Sequence, residues 1–374
     1  MNNSLSPTYK RMFGDFCVLW YQSSNTYSIV DYSFNTILEL YLQSENIEDF
    51  ASYLQSENLD IKSIIETINN YLKSCNTVSF SASKTSIDFN NTKRNFKRFY
   101  KINKLMIQIN YDSELVLKTI HPSLSHLEIK ETNDIPNTVF DFFLQDGELH
   151  LFKNKKWVIS SPKRAYHIIQ GKFAIQLLCS IYDLEEADWI GTFHGSTITD
   201  NDSSVLFVGE SGKGKSTLCA LLCASGFNLV ADDVSPLRSQ DKCIYVNPSA
   251  LSIKEGSFEV LKTIVPNFDD VPITEFNKSK GKIKYLAFTP PQEDRYPCKA
   301  IVSVNYTKGS DTILEKTSIK EVLEIIIPES WISHNTVHAK QFLHWLENVE
   351  FYKLHYSDNQ SVIKEISSLF KSLK

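Results

Sequence analysis

The chain has 374 residues, 42% of them hydrophobic, and 39 basic against 44 acidic side chains leave a net charge of −5. This composition excludes collagen-like, low-complexity and wholly disordered chains, and the length suits two or three domains that each bury a core. The charge balance gives no global pull toward nucleic acid or anionic lipid, and no run approaches the ~18 apolar residues of a membrane span.

The N-terminus lacks a signal-peptide hydrophobic region. The 7 cysteines are odd in number and form no CxxC pair, which suits reduced thiols in a cytoplasmic protein rather than a disulfide framework or a zinc site.

Residues 1–78 read as a small α+β unit of winged-helix-like pattern. Two strand-like runs, 17–21 and 27–31, flank a polar turn. Three helical stripes follow, carried by Phe34, Ile37, Leu38 and Tyr41, by Ile47, Phe50 and Leu54, and by Ile61, Ile64, Ile68 and Leu72. A helix that reads DNA would want a basic face, and residues 46–75 offer only Lys62 and Lys73 as cations, which disfavours nucleic acid.

Residues 79–97, rich in Ser, Thr, Asn and basic side chains, read as a linker to a second unit, 98–374. Its front part, 98–188, predicts strands over 104–109, 114–119, 139–144, 148–153 and 157–160, with Asp146 and Gly147 as a hairpin turn. A helix is predicted over 163–182, and the rest, 189–374, reads as a nucleotide-binding core.

The chemistry concentrates in that core. Val205–208 is a short apolar strand, and Gly209, Glu210, Ser211, Gly212, Lys213, Gly214, Lys215 and Ser216 after it match GxxxxGK[ST] ahead of a helix that begins near Thr217. Glycines let successive backbone N–H groups turn onto phosphate oxygens, and the helix N-terminus adds its positive end. In this motif Lys215 would meet the β- and γ-phosphates of ATP, and the Ser216 hydroxyl would ligate Mg²⁺. A second strand, 228–234, ends in Asp232 and Asp233 and is separated from the loop by one helix, which predicts a βαβ-like unit with both carboxylates near the nucleotide. One carboxylate, Asp233, would hold the metal while Asp232 accepts a proton; a plain two-carboxylate Mg²⁺ clamp stays open beside that division. A third feature, His194 followed by Gly195, precedes the loop.

His194-Gly195, the glycine-rich loop and the VADD strand, in this order, resemble the catalytic domain of bacterial HPr kinase/phosphorylase over about residues 185–240. The resemblance implies an α/β fold related to phosphoenolpyruvate carboxykinase, ATP and Mg²⁺ as cofactors, and a catalytic set of Asp232, His194 and Lys215. Thr217 stands where that family commonly has Glu, and no glycine-rich signature of the phosphorylase half-reaction follows Asp233. The run NPSALSIKEG, 247–256, resembles a segment of HPr-kinase-related proteins found beside peptide-modification genes. It makes Lys254, with Arg238 in the SPLR run before it, a candidate substrate contact.

Residues 1–78 separately resemble PqqD-type modules, which bind leader peptides of ribosomally made, modified peptides. Together these resemblances imply a kinase acting on a Ser or Thr hydroxyl of a precursor peptide whose leader is held by the N-terminal unit. A small-molecule kinase and a nucleotide-gated peptide-binding protein are the alternatives. The hexamers of HPr kinases raise a homo-oligomer as a further expectation.

Overall fold

A computed structural model describes residues 3–54, 60–78, 86–89, 94–275 and 281–374 of the chain. It is a mixed α/β protein, and among the described residues its strands form four sheets. No helix among them is long and apolar enough to cross a membrane.

The N-terminal sheet runs in the order Tyr9–Phe13, Phe16–Tyr21, Thr26–Asp31, followed by the helices Tyr32–Gln43, Ile47–Leu54 and Ile61–Asn76. The three helices are where the apolar stripes predict them, and Asp31 caps the first by accepting from Phe34 N at 2.7 Å. The sheet has three strands rather than the expected pair. Tyr9–Phe13 escapes sequence reading because Lys10 and Arg11 interrupt its apolar positions, although its burial alternates as a strand's should.

The central run Phe16–Tyr21 does not alternate between apolar and polar residues, and both of its faces are covered. Cys17, Leu19 and Tyr21 pack on the helices with Leu38, Phe50 and Leu72. Val18 and Trp20, with Tyr27, instead join Ile190, Phe193, Leu206 and Phe342 of the larger C-terminal core. Tyr27 meets the Phe342 ring edge-on at 5.2 Å, and Arg11 pairs with Glu347 at 3.3 Å. At the hairpin Asn25 accepts from the Trp20 indole at 2.9 Å and donates to Ile332 O at 2.9 Å. The small unit is therefore one wall of the larger core.

Of the expected linker, residues 79–85 and 90–93 lie outside the described residues, and the strand Phe96–Ile102 begins inside it. The front sheet has the order Glu128–Ile129, Phe96–Ile102, Leu105–Tyr111, Thr138–Gln145, Glu148–Lys153, Lys156–Pro162. The strand predicted over 114–119 is instead the start of the helix Glu114–Leu124. Ser113 caps it, and Val116, Ile120 and Leu124 recur every four residues on its buried side. Topology requires such an element, because Leu105–Tyr111 and Thr138–Gln145 pair in parallel and need a crossover between them. The helix Tyr166–Tyr182 is apolar on two faces. Ile169, Phe173 and Leu177 cover the front sheet, while Ile175, Leu178 and Cys179 meet Trp189 and Tyr245 of the core.

The ten-stranded sheet follows the order Asn228–Ala231, Ser196–Thr199, Ser204–Val208, Arg295–Tyr306, Cys243–Tyr245, Ser235–Arg238, Trp189–Phe193, Trp331–Ile332. Glu350–Tyr356 joins Arg295–Tyr306 in parallel and carries Ile313–Lys316 on its other edge. Asn228–Ala231 is not next to Ser204–Val208, which corrects the simple βαβ reading. The strand Ser196–Thr199 lies between them and is antiparallel to both.

Trp20 is fully buried at the junction of the small unit and the core. Trp20→Ala is expected to cost about 3–5 kcal/mol, the range for a large aromatic removed from a packed interior. Thermal denaturation followed by a signal from the nucleotide core should show the midpoint falling. Melting of residues 1–78 alone, with the core midpoint unchanged, would show that the two are independent.

Candidate active site

Ser204–Val208 is buried along its whole length and delivers Gly209 to the head of the helix Lys215–Ala224. At Gly209 φ is +150° and a Cβ would come within 2.8 Å of Val304 O. At Gly214 φ is +94° and a Cβ would lie 2.9 Å from the Tyr356 hydroxyl. Only glycine fits either position. The Tyr306 amide donates to Lys213 O at 3.1 Å and the Tyr356 hydroxyl to Gly214 O at 3.2 Å, so two tyrosines from neighbouring strands hold the loop. Glu210, Ser211 and Gly212 form its exposed crest.

Lys215 is buried, and its Nζ donates to Gly209 O at 2.5 Å and Glu210 O at 3.3 Å. Burial lowers its pKa from the usual lysine range, and the charges of Asp233 and Asp232 act the other way. Thr217 Oγ1 lies 2.6 Å from Ser257 Oγ, tying the helix to the turn Glu255–Ser257.

Asp232 is 4% exposed, yet three elements supply it with donors. Ser196 Oγ donates to Oδ1 at 2.6 Å and Ser216 Oγ to the same oxygen at 3.3 Å. The Ser252 amide donates to Oδ2 at 2.9 Å. Burial pushes its pKa from the ordinary 3.8 up to about 7, the charge of Asp233 adds to this, and the three hydrogen bonds oppose it. Asp233 follows with φ of 58° and its side chain is exposed, so the two carboxylates face opposite environments.

The inserted strand explains how Ser196 reaches Asp232: Thr197 is in register with Ala231, one residue before the carboxylate. His194 sits at the preceding turn, with its amide donating to Ser330 Oγ at 3.1 Å. No hydrogen bond of its side chain is seen among the described residues. Its neighbour Gly195 is sterically required, since a Cβ there would stand 2.6 Å from Phe207 O.

Lys254 ends the strand that carries Ser252, and its Nζ donates to Ser211 Oγ at 2.8 Å on the crest of the loop. Arg238 is not brought to this site. It lies at the far end of Ser235–Arg238, roughly 10 Å along the strand from Ser235. There its guanidinium donates to the Tyr245 hydroxyl at 2.8 Å and faces Asp241 at 4.0 Å.

Sequence reading missed Ser196, Ser252, Tyr285, Tyr306 and Tyr356. Ser196 and Ser252 lie two residues from His194 and Lys254, so a signal was present. The tyrosines come from strands far downstream, and no local motif marks them. Tyr285 is in register with Ser252 on the neighbouring strand. Burial pushes its phenol up, and Asp233, Asp232 and Tyr166 add to the shift.

No group of three or more His, Cys, Asp or Glu that could hold a metal occurs among the described residues. Mg²⁺ does not require one, because it keeps several waters and takes one or two carboxylates with substrate phosphates. The oxygen donors of Ser216 and Asp233 fit that pattern.

The chain matches the structure of the Hpr(Ser) kinase/phosphatase from Coxiella burnetii, with 13% sequence identity and a TM-score of 0.22, over 48% of this chain and 88% of that one. No protein-family model and no curated protein matches it.

The raised pKa of Asp232 sets a sign for stability. Between its ordinary 3.8 and about 7 the folded chain binds more protons at this carboxyl than the unfolded chain does. This contribution to stability is therefore present at low pH and lost as pH rises through that window. The nucleotide-free protein is expected to show this falling component in its unfolding midpoint between pH 4 and 7, and Asp232→Asn should flatten it. An identical pH profile in both proteins would remove the assignment.

Proposed function

We propose that the chain is an ATP- and Mg²⁺-dependent phosphotransferase that phosphorylates a Ser or Thr hydroxyl of a precursor peptide. The observation that carries this reading is the convergence of a glycine-rich loop, its helix N-terminus and a buried carboxylate of raised pKa on one spot. The sequence resemblance to HPr kinases points the same way.

The loop amides and Lys215 would hold the β- and γ-phosphates, with Lys215 moving from the carbonyls it now caps onto phosphate oxygens. Ser216 and Asp233 would hold Mg²⁺, which would supply Lewis-acid neutralisation of phosphate charge. Lys254, which donates to Ser211 on the crest, would meet phosphate charge or substrate. Asp232 accepts the proton of the attacking hydroxyl as the new O–P bond forms and the bond from the γ-phosphorus to the bridging oxygen breaks. A carboxyl with a pKa of about 7 is matched to that task near neutral pH. His194 would orient the approach from the turn that leads to Ser196.

The N-terminal unit is proposed to hold the leader peptide. Its outer strands, Tyr9–Phe13 and Thr26–Asp31, each have a neighbour on one side only among the described strands. An extended peptide can pair with such an edge through its backbone.

Incubation of the full chain with ATP, Mg²⁺ and a Ser/Thr-containing precursor peptide should add one phosphoryl mass, read by mass spectrometry. Lys215→Ala is expected to weaken nucleotide binding or turnover at least tenfold, by removing the charge that meets the phosphates. Asp232→Asn should retain nucleotide and lose rate by roughly 10²–10⁴-fold, while Asp233→Asn should raise the Mg²⁺ requirement. Nucleotide bound normally by the Lys215 variant would sink the loop assignment. A full rate in the Asp232 variant would sink the base.

A further inference from the structure

The front unit contains a cavity of about 350 Å³, bounded by the helix Glu114–Leu124, the ends of two strands and the turn that leads into Tyr166. Val116, Leu144 and Leu149 give it an apolar interior. Lys118, Lys163 and Arg164 stand at its edge. Lys118 is paired with Glu114 at 2.8 Å, whereas the side chains of Lys163 and Arg164 have no hydrogen-bond or ion-pair partner among the described residues. An apolar hollow beside two exposed cations that have no ion-pair partner among the described residues is complementary to an apolar group that carries negative charge.

The placement of the cavity matters as much as its lining. The helix that forms one wall is fixed to the nucleotide core at its far end, where Ala250 N donates to Ser123 O at 2.8 Å. Two residues beyond Ala250, the Ser252 amide holds Asp232. Across the strands from Ser252 stands Tyr285, and Tyr166 of the cavity wall acts on its phenol together with both carboxylates. Ser123, Ala250 and Ser252 thus tie the cavity's helix to Asp232 through two hydrogen bonds, and the glycine-rich loop uses none of the cavity's residues.

We infer that this cavity anchors the acceptor: it takes an apolar residue of the acceptor peptide, while Lys163 and Arg164 bind a carboxylate next to that residue. The hydroxyl to be phosphorylated then lies between the anchor and Asp232. This assignment rests on the phosphotransferase reading above. The carboxylate has two sources, an Asp or Glu side chain or the free end of the peptide, and both offer the same chemistry to the rim.

Three fluorescent probes separate the possibilities in titrations of the full chain: dansyl-Leu-Asp-amide, dansyl-Leu-Asn with a free C-terminal carboxylate, and the neutral dansyl-Leu-Asn-amide. At least one acidic probe should bind ten times more tightly than the neutral one, and which does so identifies the source. The double variant Lys163→Gln/Arg164→Gln should abolish that preference and leave the neutral probe unchanged. Thr119→Trp, which fills the cavity, should weaken all three. Equal affinities of the three probes, or an acidic preference that survives the double variant, overturns the rim. Binding that survives Thr119→Trp overturns the cavity.

The acceptor role is read by mass spectrometry on Ser-Gly-Leu-Asp-amide peptides with one to four glycines, incubated with MgATP. Phosphorylation that requires the Leu-Asp anchor supports the role, and phosphorylation indifferent to the anchor ends it. The thermal shift of the chain by MgATP reports on the phosphotransferase reading alone. A shift without probe binding brings down the cavity proposal only. No shift brings down the phosphotransferase reading and the acceptor role with it.

Discussion

A carboxylate sealed from water is tolerable only when its charge is met by donors, since an uncompensated buried charge costs several kcal/mol. Asp232 imposes that condition on the whole C-terminal core. Its donors come from a hairpin strand, from the first turn of the loop helix and from a separate three-stranded sheet. Each must keep its place for the carboxylate to be satisfied, so one side chain fixes three elements that are far apart in sequence. Burial outweighs these hydrogen bonds, and the Asp232 pKa is pushed up to about 7. The adjacent Asp233 escapes the same burial through a backbone in the left-handed region, which turns its side chain outward. Two identical residues acquire different chemistry from one backbone dihedral.

The second constraint is the two-sided burial of Phe16–Tyr21. A strand covered on both faces must be apolar throughout, and five consecutive buried residues here satisfy both sides at once. The consequence is mechanical. The N-terminal sheet has its inner face on Phe342, which stacks against Phe193, the residue before His194. A segment that stiffened or shifted the sheet would press on the turn that carries His194 and, two residues on, Ser196. The unit is bound to the core by packing as well as by chain connection, so removing it would expose the apolar partners of Val18 and Trp20.

Much of this was legible in the sequence because the signals are local. The glycines at 209 and 214 are demanded by backbone contacts, and the motif that contains them reads directly. The helices 32–43 and 61–76 follow from apolar spacing and their aspartate caps. Pairing across the sheet was not legible. The strand between Asn228–Ala231 and Ser204–Val208 arrives from earlier in the chain, and nothing in the residues around Asp232 announces it. The 114–119 run misleads for a related reason. Leu115, Val116 and Leu117 form a short apolar run that reads as well as a strand as a helix, and only the parallel pairing of its flanking strands demands a crossover element there. Arg238 was drawn to the site by nearness in sequence to Asp233, whereas a strand carries it away.

A glycine-rich loop organises only one of two reactants. Transfer to a hydroxyl requires the acceptor to be held within a few tenths of an ångström of its productive position and water to be kept from competing with it. The loop, its helix and its tyrosine supports occupy one side of Asp232. On another side, Ser252 and Tyr285 belong to a small sheet whose inner residues Leu251, Ile253 and Leu286 are buried in the core, so that side is rigid. Beyond it stands the front unit, locked to the core by the two-faced helix Tyr166–Tyr182 and by Ser123. A wall so firmly fixed can position a substrate without itself reorganising. The same contacts that bury Asp232 therefore fix the surface beside it.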